Sequence, residues 1–277
     1  MKQLSNLVLF ICIFGWGIAV AQPTEIYSEV RIFVDQPSVF QDLANNDIYF
    51  DHIHREKTDR GMAIAGVLNS RELATLQTSG IDHEVLIPDM TAHFLAQPKL
   101  SAAEQSRIRA NSSVQGFEFG SMGGYYTFAE VVSELDSMRL LYPNLISQKQ
   151  SIGSTHQGRD VWMVKISDNP DIDENEPEVL YDALHHAREP QSMMTVIYYM
   201  YYLLENYGTD PEATYLVDNR ELYFVPVINP DGYEYNRQTN PNGGGFWRKN
   251  RRNNGSSYGV YTLSLHDALP INRKSVV

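Results

Sequence analysis

Residues 191–208, "QSMMTVIYYMYYLLENYG", constrain the fold more than any other stretch of this 277-residue chain. Their spacing predicts a helix that is apolar nearly all round and ends at Gly208. Such a helix has no face to give to water, so it belongs in a protein core or a bilayer. The run is shorter than the roughly 20 apolar residues a span requires, which leaves the core. Other elements must therefore cover it on more than one side, and the neighbouring sequence supplies them. "TFAEVVSELDSMRLLYPN" has helical spacing, with Thr127 and Glu130 placed as a capping box. "LISQKQSIG" and "RDVWMVKIS" read as strands around the turn "STHQG", and "VLYDAL" as a short strand. "ELYFVPVINPDG" is an apolar strand running into an Asn-Pro-Asp-Gly turn, with Pro226 awkward for a central position. Strands alternating with helices predict an α/β unit with a mixed, largely parallel sheet and helices on both faces.

A smaller unit, residues 22–95, comes before it. "YSEVRIFV", "DIYFDHIHR", "GMAIAGVL" and "IDHEVLIP" read as strands, the middle two joined by the turn "EKTDRG". "SVFQDLANN" is a short helix beginning at a Ser38 cap, and "NSRELATLQTSG" a second helix capped by Asn69 and ended by Gly80. The order βαββαβ predicts a ferredoxin-like α+β domain. His52 and His54 share one strand face and read as solvent-facing polar residues rather than ligands. Residues 96–124 carry little apolar periodicity and read as a linker. Arg107 and Arg109 within it are candidate cleavage points for an activating protease, or solvated arginines on a short helix.

Residues 1–21 read as a secretory signal peptide: Lys2, the apolar "LVLFICIFGWGIAVA", then the small-residue pattern Ala19-Val20-Ala21. The expectation is a secreted or periplasmic protein with no membrane segment after cleavage. The single cysteine, Cys12, lies in that leader, so the mature chain offers no disulfide and no thiolate ligand. A formal net charge of −12 argues against nucleic acid or an anionic membrane surface as partner.

The chemistry concentrates in "LHHAREP", residues 184–190. A strand end, His186, two residues, Glu189 and then Pro190 at a first helical position can fold imidazole and carboxylate toward one point. Both are zinc-compatible, and His₂Glu sets are catalytic rather than structural. Alone, the pair reads equally as a surface histidine beside a helix-start glutamate favoured by the helix dipole. Downstream, "GGGFWRKNRRNN" reads as a solvated basic loop, or as cations awaiting developing negative charge.

Taken in order, "LHHAREP", "FVPVINPDGYEY" and "GGGFWRKNRRNN" resemble the zinc carboxypeptidases of the carboxypeptidase A/B superfamily. The resemblance covers residues 125–260, the N-terminal half of that family's catalytic domain. It implies one Zn²⁺, with His186 and Glu189 as the first two protein ligands. It implies that Arg188 lines the peptide subsites, that Arg251 polarises the scissile carbonyl, and that Arg248 contributes to substrate binding. Asn229, Pro230, Asp231 and Gly232 match a structural turn, and His185 positions the motif or packs. The substrate implied is a peptide or protein cut at its C-terminus, and the unit at 22–95 resembles the family's activation segment. Two rivals share the motif: a zinc amidase acting on cell-wall or side-chain amide links, and a non-catalytic exported binding protein.

The end of the chain departs from that pattern. "TLSLHDALPI", residues 262–271, corresponds codon for codon to a string that looks like a sequencing-library adapter. Arg273–Val277 correspond to the reverse complement of part of it. Residues 261–277 thus read as non-native, His266 as no ligand, and the third zinc ligand, the general base and the carboxylate grip as missing from this chain.

Overall fold

The structure is a computed structural model that describes residues 25–50 and 52–252. The expected leader and the tail from 261 lie outside the described residues.

Two main apolar clusters organise two units, with a smaller third cluster of Val161, Val225 and Ile228 in the second. The first holds β1 (Tyr27–Phe33), α1 (Ser38–Asn45), β2 (His54–Thr58), β3 (Gly61–Asn69), α2 (Ser70–Thr78) and β4 (His83–Ile87). The strands lie in the order β2-β3-β1-β4, and every neighbouring pair is antiparallel. Val30, Ile32, Leu43, Ile64, Leu68 and Leu76 close the core between sheet and helices. Asn69 caps α2 as expected, its side chain accepting from the Arg71 and Glu72 amides. Ser38 is not a cap: Pro37 holds that position with no side-chain hydrogen bond. The second strand also starts later than the sequence implies, because Thr58 pairs with Gly61 across a two-residue turn and fixes the hairpin register.

The stretch read as a linker holds helix α4 (Ala102–Ala110), the short helix weighed for Arg107 and Arg109, and α3 (Met90–Leu95) precedes it. A Ser101–Glu104 capping box closes α4 at its start, and none of its residues is buried.

The second unit holds α5 (Phe128–Leu141), β5 (Gln150–Ser154), β6 (Asp160–Ile166), β7 (Glu178–Asp182), α6 (Pro190–Asn206), α7 (Pro211–Asn219), β8 (Glu221–Val225) and α8 (Pro230–Thr239). Its strand order is β5-β6-β8-β7. The expectation of a largely parallel sheet is wrong: β5–β6 and β6–β8 pair antiparallel, and only β7–β8 is parallel. Local geometry explains both outcomes. The tight turn at Thr155–Gly158 returns the chain at once, which permits only an antiparallel pair. The α6–α7 crossover is long enough to bring β8 back parallel to β7. Pro226 causes no conflict, since β8 ends at Val225.

Helix α6 is the core helix its sequence requires. Met193, Ile197, Met200 and Leu203 have no exposed surface. One flank packs on the sheet, where Tyr199 meets Tyr181 edge-on at 5.3 Å. The other is covered by residues 114–126, where Phe117 meets Tyr198 at 5.4 Å and the Tyr126 amide donates to Met194 Sδ. Among the described residues no helix is long and apolar enough to cross a membrane.

Candidate metal centre

The site begins where β7 stops. Ala183 continues the pairing with Val225, and then Leu184 takes φ +55°. For a buried, bulky side chain this is a strained conformation, of the kind proteins retain at functional turns. It turns the chain out of the sheet plane and into α6. The Leu184 amide donates to Ser192 Oγ, whose hydroxyl donates to the Glu189 carbonyl. The Glu189 amide donates to the His186 carbonyl. Pro190 occupies the first helical turn, where no N–H is needed.

This closed turn brings His186 and Glu189 together. The imidazole Nδ1 lies 2.9 Å from both carboxylate oxygens. Zinc bonds to such atoms at about 2.0–2.2 Å, and two tetrahedral ligands then sit ~3.3 Å apart. Donor chemistry and spacing therefore suit two adjacent positions around one ion. The side chains are 35% and 45% exposed, so the pair stays open to a ligand. His185, its neighbour, turns the other way and pairs with Asp182 at 3.1 Å.

The basic loop lies against this turn. The Ala187 amide donates to the Arg248 carbonyl at 2.9 Å. Arg251 is buried, its guanidinium 3.8 Å from the Tyr235 ring centre and 4.4 Å from that of Trp247. That is cation–π range, and it fixes the side chain by its flat faces. Arg188 and Glu189 line a cavity of about 1030 Å³; His186, Arg248 and Arg251 are not among its lining residues. The far wall of the cavity comes from the first unit and its appended helix. There Phe94 and Tyr27 pack on Phe246, and Thr91 Oγ1 donates to the Gly244 carbonyl. Burial, reinforced by Glu25, pushes the Tyr27 phenol up, while nearby Arg188 pulls it down.

Several contributors do more than their sequence motif indicates. Asp231, expected only as part of a turn, is buried and accepts from Thr155 Oγ1, the Gln157 amide and Arg159. Asn229 caps α8 and also donates to the His185 carbonyl. Gly232 is required: a Cβ there would meet the Lys249 carbonyl at 2.5 Å and Ala187 Cβ at 2.8 Å. Asn236 was not singled out at all. His52 and His54 are exposed and join no metal-ligating group among the described residues. Asp173, Glu178 and Glu221 do place oxygens within 4.8 Å of one another, but Lys165 already lies against Glu221.

A mixed α/β scaffold presenting an imidazole and a carboxylate at a strand-to-helix turn, against a loop that carries a buried arginine, is a candidate metal centre. Comparison makes it particular. Residues 131–267 match the zinc carboxypeptidase family, over part of that family's domain. It is 44% identical over 139 residues to a zinc carboxypeptidase of Saccharothrix mutabilis subsp. capreolus, covering 50% of this chain and 31% of that protein. It is 30% identical over 185 residues to mouse carboxypeptidase A2, covering 67% of this chain and 40% of the relative. The chain thus spans between about a third and two fifths of these relatives. The fold matches carboxypeptidase A from Helicoverpa armigera with TM-score 0.57 at 20% identity, covering 85% of this chain and 55% of that one. Thrombin activatable fibrinolysis inhibitor gives 0.53 at 21% identity, covering 84% and 56%.

Proposed function

We propose that this chain is part of an exported zinc metallocarboxypeptidase that removes C-terminal residues from peptides or proteins. The observation that carries the reading is the convergence of His186 and Glu189 at 2.9 Å in a strained turn open to solvent. Zinc, when bound, supplies a Lewis acid and a water of lowered pKa. His186 and Glu189 hold two of its positions. Arg251, set by Tyr235 and Trp247, offers a fixed positive charge to a carbonyl oxygen as that oxygen becomes anionic. A preorganised donor of this kind contributes about 3 kcal/mol to lowering such a barrier. Arg188, on the cavity wall, and Arg248 bind the peptide.

With two protein ligands, the 277-residue chain binds zinc weakly and does not turn over peptide, because the third ligand and the general base belong to the remainder of the domain. The unit at 22–95 is read as a ferredoxin-like activation segment, supported by the antiparallel β2-β3-β1-β4 order of its described residues and by their contacts with the 244–246 loop. Exposed α4, carrying Arg107 and Arg109, is the stretch open to an activating protease. The similar thrombin activatable fibrinolysis inhibitor bears such activation in its name.

Metal titration tests the reading. The full chain should bind one Zn²⁺, and His186→Ala and Glu189→Ala should each abolish binding. Binding that survives both substitutions refutes it, and cleavage of a C-terminally unblocked peptide by this chain refutes the claim of inactivity.

A further inference from the structure

Nothing in a lone asparagine marks it as part of a metal site, yet Asn236 occupies the junction between the two loops that matter. It is buried on α8, seven residues after Asn229, and so lies on the same helical face two turns along. Its Nδ2 donates to the Ala187 carbonyl at 2.9 Å and to the Trp247 carbonyl at 2.8 Å. Its Oδ1 accepts the Trp247 amide at 3.0 Å. Both amide N–H groups and the carbonyl oxygen are thus engaged, which sets the orientation of the side-chain amide. Ala187 is flanked by His186 and Arg188 and lies two residues before Glu189. Trp247 supplies one of the two rings that hold Arg251.

We infer that Asn236 is a positioning residue that ties the zinc-ligand turn to the arginine loop, so that the metal position and the Arg251 guanidinium are set together. The inference deepens the zinc reading of His186 and Glu189 and rests on it. The surrounding packing agrees. Gly245 is so close that a Cβ there would meet Asn236 Oδ1 at 2.6 Å, and Gly232 permits equal intimacy between α8 and both loops. Asn229 repeats the arrangement one face-step earlier, donating to the His185 carbonyl and, at 3.4 Å, to that of Arg248. The consequence is linkage: order in one loop is order in the other.

Two substitutions separate positioning from bulk stability. Asn236→Asp keeps the acceptor and removes both donated hydrogen bonds; Asn236→Leu removes all three. Tyr201→Phe, which loses the hydrogen bond to Glu134 on the far side of α6, serves as a destabilised control. In the full 277-residue chain, both Asn236 variants should raise the Zn²⁺ Kd by about tenfold or more, the usual size of an outer-shell loss. They should also lower amide-exchange protection at Ala187 by roughly tenfold while leaving Phe224, in the sheet interior, unchanged. The control should change neither. The inference is overturned if Kd and Ala187 protection stay within about twofold in both variants, or if the control reproduces the losses. A parent chain that binds no zinc would sink the zinc reading, and Ala187 protection, read without metal, would still judge Asn236.

Discussion

Two pairs in this molecule set a nitrogen base against a carboxylate at very different exposure. His186 and Glu189 meet with side chains 35% and 45% exposed; Lys165 and Glu221 meet with side chains 7% and 0% exposed. Around the buried pair the hydrogen bonding is dense. Lys165 also donates to the Ile172 carbonyl, and Glu221 accepts from the Glu174 amide and Tyr223 hydroxyl. A buried charge must be met this fully or it destabilises the fold. The exposed pair carries no such obligation, since water can solvate either group. The contrast teaches where each pair acts: one fixes β6 to β8, and the other stays accessible to solvent, as the proposed zinc role requires.

The largest effect should therefore come from Lys165→Met, which strands the Glu221 carboxylate. A loss of about 3–5 kcal/mol is expected in urea unfolding, as for other buried pairs deprived of one partner. A loss below about 1 kcal/mol would place the buried pair in the class of surface ion pairs and erase the contrast. Acid titration sharpens it. Burial alone would raise the Glu221 carboxyl, but hydrogen bonds from Lys165 and the Glu174 amide outweigh it and hold the group below its ordinary 4.5. A folded pKa below the unfolded one stabilises fully above pH 4.5, and that stability disappears as pH falls through the folded value. Glu221→Gln should flatten this acid limb; an unchanged limb would assign it to other carboxylates.

Next in size is Asp231→Ala. Three donors converge on this buried carboxylate from the β5–β6 turn, so its removal should cost about 2 kcal/mol. Arg159, one quarter exposed, can rehydrate, which keeps the loss below that of Lys165→Met. Equal losses would mean that exposure does not set the scale.

What was legible in the sequence follows the same division between local and long-range causes. The Thr127–Glu130 capping box, the Asn69 cap and Pro190 at a helix start depend on neighbours a few residues away and are present, as is the core helix expected over 191–208, which runs Pro190–Asn206. His186 and Glu189 meet because they lie three positions apart within one turn. Insertion of β8 between β6 and β7 depends on partners far along the chain, and no periodicity encodes it. The same holds for Asn236, whose partners lie 49 and 11 residues away. Asp231 stood inside a recognised turn, but its anchoring of Thr155 and Arg159 needed the fold.

The smallest effect on stability belongs to the site itself. His186→Ala and Glu189→Ala each remove one half of a half-exposed pair, and such pairs contribute between zero and about 1 kcal/mol. Unfolding free energy in the absence of metal should therefore move by no more than about 0.5 kcal/mol, while zinc binding is lost. Strain gives the prediction its edge. Leu184 at φ +55° is held by the Ser192 and Asn229 contacts rather than by the imidazole, so the turn should persist when His186 is truncated. If either alanine variant instead loses several kcal/mol without metal, the pair is a structural clasp like Lys165–Glu221, and burial was the wrong variable to compare.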